Sequence, residues 1–109
     1  MVKEINDREF VQLVQESKRP FLVDFWAPWC GPCRMTGPIV DQFAAKHSAV
    51  MDVYKMNVDQ NQALAGQLGI MSIPTLLAIN DGKIAKALVG YRPLAELEKE
   101  LKPMLVGAK

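Results

Sequence analysis

Phe21-Leu-Val-Asp-Phe-Trp-Ala-Pro-Trp-Cys-Gly-Pro-Cys-Arg34 is the stretch that decides the fold. Its first half, Phe21 to Ala27, is apolar except at Asp24, which suits a central strand covered on both faces. Its second half puts Cys30 and Cys33 where a helix begins. Residues i and i+3 of a first helical turn bring two Cβ atoms within disulfide reach. The earlier cysteine then sits at the helix N-terminus, where free N–H groups and the positive end of the dipole favour a thiolate. The thiolate is the nucleophile, so Cys30 is expected to attack and Cys33, one turn inward, to resolve the mixed disulfide. Pro32 costs nothing in the first turn, where its missing N–H has no partner to lose. Gly31 leaves the approach to sulfur clear for a bulky protein substrate.

Upstream of this stretch, Val2 to Ile5 reads as a short edge strand and Asn6 as a helix N-cap, with Glu9 as its capping-box partner. Phe10, Leu13 and Val14 share one face of the helix that follows, and Arg19-Pro20 ends it. Downstream, Ile39, Val40, Phe43, Ala44 and His47 recur at helical spacing, with Pro38 expected to kink the helix. Val50 to Val58 reads as a second central strand. A short helix then carries Leu64 and Leu68 and is capped by Gly69. Thr75 to Ile79 is a third apolar strand, and Asn80-Asp81-Gly82 predicts a tight turn that returns Lys83 to Val89 as an antiparallel partner. A last helix lines up Leu94, Leu97, Leu101 and Leu105, with Pro103 expected to bend it or end it early. The order is β-α-β-α-β-α-β-β-α. Strands joined through helices are expected as parallel neighbours by crossover, with the hairpin adding an antiparallel edge. The expected fold is α/β: one mixed sheet of about five strands, with about four helices on both faces.

A chain of 109 residues has room for one core, so residues 1–109 are expected to form a single domain. Net charge is +1 and no block of like charge stands out, so neither nucleic acid nor a membrane is an expected partner. The segment before Phe10 is charged where a secretory signal is apolar, which points to the cytoplasm. Structural disulfides are rare there, so the two cysteines call for a chemical role. A half metal site is the bland alternative. Tetrahedral zinc wants four ligands, and the other good candidate, His47, lies about three turns further along the same helix, so no metal is expected. Trp26 ends a buried strand and reads as core, whereas Trp29 adjoins the nucleophile and reads as a substrate contact. Asp24, flanked by apolar residues, is expected to be desolvated, with a raised pKa and the capacity to exchange protons near neutral pH.

Trp29-Cys-Gly-Pro-Cys33 after an apolar strand resembles the thioredoxin family, which is itself a standard instance of a Cys-x-x-Cys pair with a lowered thiol pKa. The resemblance runs through nearly the whole chain. Asp24 is similar to the family's buried carboxylate and Lys55 to the lysine paired with it. Ile73-Pro74-Thr75 resembles its cis-proline turn, and Gly90 the glycine beside its substrate groove. What the resemblance implies is a monomeric protein-disulfide reductase. Cys30, Cys33, Asp24 and Lys55 would carry the chemistry, and Trp29, Gly31, Pro32, Ile73, Pro74 and Gly90 would meet the substrate. It implies no bound cofactor: the reacting group is the Cys30–Cys33 disulfide, restored by thioredoxin reductase with electrons from NADPH, and the other partners are disulfide-containing proteins. Pro28 before Trp29, Arg34 where lysine is common, Gly37 before Pro38, and Pro103 depart from the family pattern without touching the sulfurs; Gly37 and Pro103 bear on helix regularity, not on chemistry. Two other functions fit the same fold. One is an oxidase or isomerase, disfavoured because Gly-Pro between the cysteines resembles reducing members. The other is a binding or assembly module without turnover, which insulin reduction separates.

Overall fold

A computed structural model describes residues 2–106 of the chain. The domain expectation for 1–109 therefore extends past the described residues at both ends. The elements are β1 (Lys3–Glu4), α1 (Asp7–Glu16), β2 (Phe21–Trp26), α2 (Gly31–Lys46), β3 (Asp52–Asn57), a 3₁₀ turn (Val58–Gln60), α3 (Gln62–Gln67), β4 (Thr75–Asn80), β5 (Lys83–Val89) and α4 (Leu94–Val106). They form one five-stranded mixed sheet in the order β1-β3-β2-β4-β5.

Local signals behave as their chemistry dictates. The Asn6 side chain accepts from the Glu9 N–H at 2.9 Å, and the Glu9 carboxylate accepts from the Asn6 N–H at 2.9 Å, closing the capping box. At the β4–β5 hairpin, Asp81 (φ 54°) and Gly82 (φ 73°) both lie in the left-handed region, as a two-residue turn matched to strand twist requires. Alternation along the strands sends two sets of side chains to opposite faces. Leu22, Val53, Leu76 and Leu88 pack against Val40 and Phe43 of α2 and Leu97 and Leu101 of α4. Phe21, Val23, Phe25 and Leu77 pack against Phe10 of α1 and Leu64 of α3. Phe10 meets Phe21 and Phe25 edge to face, with centroids 6.2 and 6.4 Å apart.

Three expectations are corrected. Consecutive strands are not simple parallel neighbours: β3 lies between β1 and β2, parallel to both, and β4 joins β2 antiparallel. The register explains the reversal. β3 ends at Asn57 opposite Trp26, and β4 starts at Thr75 opposite Phe25, so the α3 connection leaves and re-enters at the same end of the sheet. Second, α4 runs through Pro103 to Val106 instead of stopping early. Leu101 and Met104, buried against the sheet, hold the last turn despite the lost backbone donor. Third, several boundaries are tighter: α1 ends at Glu16, short of Arg19-Pro20, and His47 caps α2 from outside it. The His47 ring packs on Phe43, and its Nε2 lies 2.7 Å from Glu98 Oε2, tying the end of α2 to α4. Among the described residues no helix is long and apolar enough to cross a membrane.

Candidate active site

One end of the sheet gathers the chain's chemistry. Strands β2, β3 and β5 finish there and β4 begins there, so four loops meet at one edge. The β2–α2 loop delivers the cysteines. Ala27 O accepts from the Cys30 N–H at 3.1 Å, turning the chain so that Cys30 becomes the N-cap of α2. Its sulfur accepts from the Cys33 N–H at 3.2 Å, the contact that would stabilise a thiolate at this helix end. Cys30 and Cys33 are joined in a disulfide, with their Cα atoms 5.3 Å apart. In this oxidised form both residues are buried, at 4% and 6% exposure, so exposure does not tell them apart. Their surroundings do. Cys30 Sγ lies 3.8 Å from Ile73 O, on the side of the β4 loop. Cys33 lines a cavity of about 270 Å³ on the other side, together with Asp24, Trp26, Gly37 and Lys55.

Asp24 sits mid-strand in β2 at 4% exposure, and its Oδ1 has no hydrogen-bond partner. Burial pushes its carboxyl up to about 7, and the Lys55 ammonium pulls it partway back. The negative charges of Asp41 and Glu4 add to the rise. Lys55 is the register partner of Asp24 on β3 and of Glu4 on β1. Its Nζ nevertheless lies over the Trp26 ring, 5.6 Å from the centroid, and makes no salt bridge to either carboxylate.

The other side of the disulfide is an apolar groove of about 360 Å³ between Trp29, Val58 and the segment Ile70–Ile73. Trp29 is 67% exposed, and its Nε1 donates to Asp59 Oδ2 at 2.9 Å and Oδ1 at 3.1 Å. Asp59 had no signal in the sequence: it stands thirty positions from Trp29, and only the β3 register brings it near. Ile73–Pro74 is a cis peptide bond beside Cys30. Pro74 O accepts from the Gly90 N–H at 2.8 Å. Gly90 adopts φ 91°, which an L side chain rarely adopts, and nothing would touch a Cβ there, so the glycine serves the backbone and not the space. A Cβ at Gly31 would likewise meet nothing, so that flank of the disulfide is open. Pro32 occupies the first turn of α2, where no hydrogen bond is lost.

The thioredoxin family model matches residues 1–103, nearly every position described above. The chain belongs to the thioredoxin family. A thioredoxin of Alicyclobacillus acidocaldarius is 48% identical over 101 residues, covering 93% of this chain and 95% of that protein. One of Haemophilus influenzae is 47% identical over 96 residues, 88% of this chain and 90% of its own. An M-type chloroplastic thioredoxin of spinach is 41% identical over 106 residues, 94% of this chain and 59% of that longer protein. With this family membership and the Cys30–Cys33 disulfide, the protein is a protein-disulfide reductase acting by dithiol–disulfide exchange.

Proposed function

We propose that Cys30 is the attacking sulfur, Cys33 the resolving sulfur, and Asp24 the group that takes the Cys33 proton. The observation that carries this division is the pair of unlike flanks: the Cys30 sulfur lies against Ile73, which lines the apolar groove, and Cys33 lines the cavity that holds Asp24. In the dithiol form the Cys30 thiolate attacks one sulfur of a substrate disulfide, and the other substrate sulfur leaves as a thiolate. Cys33 then gives its proton to the Asp24 carboxylate and attacks Cys30 Sγ. The bond to substrate breaks, the Cys30–Cys33 disulfide forms, and the substrate carries away two electrons. A carboxyl with a pKa of about 7 is half ionised at neutral pH, the poise a proton acceptor needs there. Lys55 restrains the rise in that pKa. Trp29, Gly31, Pro32, Ile73, Pro74 and Gly90 form the docking surface, where the backbone at residue 73 is offered to an extended substrate segment.

The dithiol is restored by thioredoxin reductase with electrons from NADPH, in the cytoplasm, where thiols are kept reduced. The chain works as a monomer of one domain. The test is a trap. Cys33→Ser should accumulate mixed disulfides with substrate proteins through Cys30, because nothing resolves them, and limited iodoacetamide on reduced protein should label Cys30 first. Preferential labelling of Cys33, or a trap that forms with Cys30→Ser instead, would reverse the assignment.

A further inference from the structure

Met71 is the most exposed large apolar side chain described, at 95%, and it stands on the rim of the groove beside Cys30. Trp29, Ile70 and Ile73 complete its apolar surroundings. Of the other methionines described, Met51, Met56 and Met104 are buried, at 1%, 0% and 7%, and Met35 on α2 is 59% exposed. A thioether open to solvent is a two-electron nucleophile, and its oxidation turns a flexible apolar group into a polar one. In the disulfide form the two cysteine sulfurs offer no thiolate to consume oxidant first. Met71 is then the most accessible sulfur on the substrate face.

We propose that Met71 is an oxidation site through which hydroperoxides weaken protein docking while the dithiol chemistry stays intact. The Met71 sulfur attacks the distal oxygen of the hydroperoxide, the O–O bond breaks and an S–O bond forms. The proton of that oxygen passes to the departing alkoxide. Met71 is oxidised by two electrons to the sulfoxide, and the hydroperoxide is reduced to alcohol, or to water from hydrogen peroxide. The groove is lined by apolar side chains apart from Ser72, so a protein that covers the strongly polar sulfoxide oxygen strips its water for at most one hydroxyl partner. A small disulfide that reaches Cys30 without covering the rim escapes this penalty. The inference rests on the reading of Trp29 and Ile73 as docking surface.

The test treats the disulfide form with dilute hydrogen peroxide and maps oxygen incorporation by peptide mass. The treated protein is then reduced with dithiothreitol and freed of it, and single-turnover rate constants are taken against insulin and against a small aromatic disulfide. Met71 should gain oxygen first, Met35 more slowly, and Met51, Met56 and Met104 last. The insulin rate constant should fall about tenfold, with the small disulfide changed less than about twofold. Met71→Leu, compared with itself before oxidant, should show no fall, whereas Met35→Leu should show the full fall. Oxidation of Met35 ahead of Met71, or a Met71 sulfoxide that reduces insulin at the untreated rate, would overturn the proposal. Trp29→Ala separates the two layers. If it too leaves insulin reduction unchanged, the docking reading itself fails. If it slows insulin while the sulfoxide does not, only the oxidative brake fails.

Discussion

Replacing Asp24 by Asn removes a charge that the fold must otherwise desolvate. Its folded-state pKa, about 7, lies roughly three units above the value of 3.8 for a free carboxyl. The native state therefore binds the proton more tightly than the unfolded chain does. Below pH 3.8 both states are protonated and no charge is buried. As pH rises from there towards 7 the unfolded chain ionises while the native state resists, and stability drains away across that window. At about 1.4 kcal/mol per unit, the penalty reaches about 4 kcal/mol by pH 7–8. Oδ1 has no protein hydrogen-bond partner, which agrees with the direction of the penalty. Asn has the same shape and no charge. Asp24→Asn is expected to be more stable than the parent by about 3–4 kcal/mol at pH 8, with the melting temperature up by about 10–15 °C. In acid, near pH 3, the two should match within about 0.5 kcal/mol. The assay is urea unfolding of both disulfide-form proteins at the two pH values, compared pairwise so that all other carboxylates cancel. Insulin reduction by the variant should be slower, since Cys33 loses its proton acceptor. Equal or lower stability at pH 8 would show Asp24 to be a satisfied structural carboxylate and would refute the proton-transfer role.

Lys55→Met removes the one cation that lowers the Asp24 pKa, so carbon NMR of the Asp24 carboxyl should place its midpoint above that of the parent; an unmoved or lower midpoint contradicts the electrostatics. Gly90→Ala forces a Cβ onto φ 91° and should cost about 1–2 kcal/mol in denaturant unfolding, with undiminished stability counting against the backbone argument. Asp59→Ala frees the Trp29 indole N–H, so its proton should exchange faster with solvent and insulin reduction should slow about threefold to tenfold. An unchanged exchange rate would mean that Asp59 does not hold the ring.

What the sequence determined by itself was everything set within one turn of chain. The Asn6–Glu9 capping box, the Cys30–Cys33 spacing at the start of α2 and the Asn80-Asp81-Gly82 hairpin each depend on residues two or three apart. The strand and helix periods were legible as well, because burial on a sheet face or helix stripe leaves a pattern every second residue or every 3.6. The burial of Asp24 could be read from its apolar neighbours. The resemblance to a family named the positions of Lys55, Pro74 and Gly90, but no local rule derives them.

The tertiary structure decided which distant residues share a place. β3 separates β1 from β2, and that register sets Lys55 beside Asp24 and brings Asp59 under Trp29. The α3 connection returns at the end it left, which carries Ile73 to Cys30 across 43 positions. Lys55 lies over the Trp26 ring without bridging to Asp24, and α4 continues through Pro103 because the burial of Leu101 and Met104 outweighs the local preference. Such contacts arise from the closure of one sheet with helices on both faces. Their free energy comes from joint burial, so no single segment of the chain encodes them.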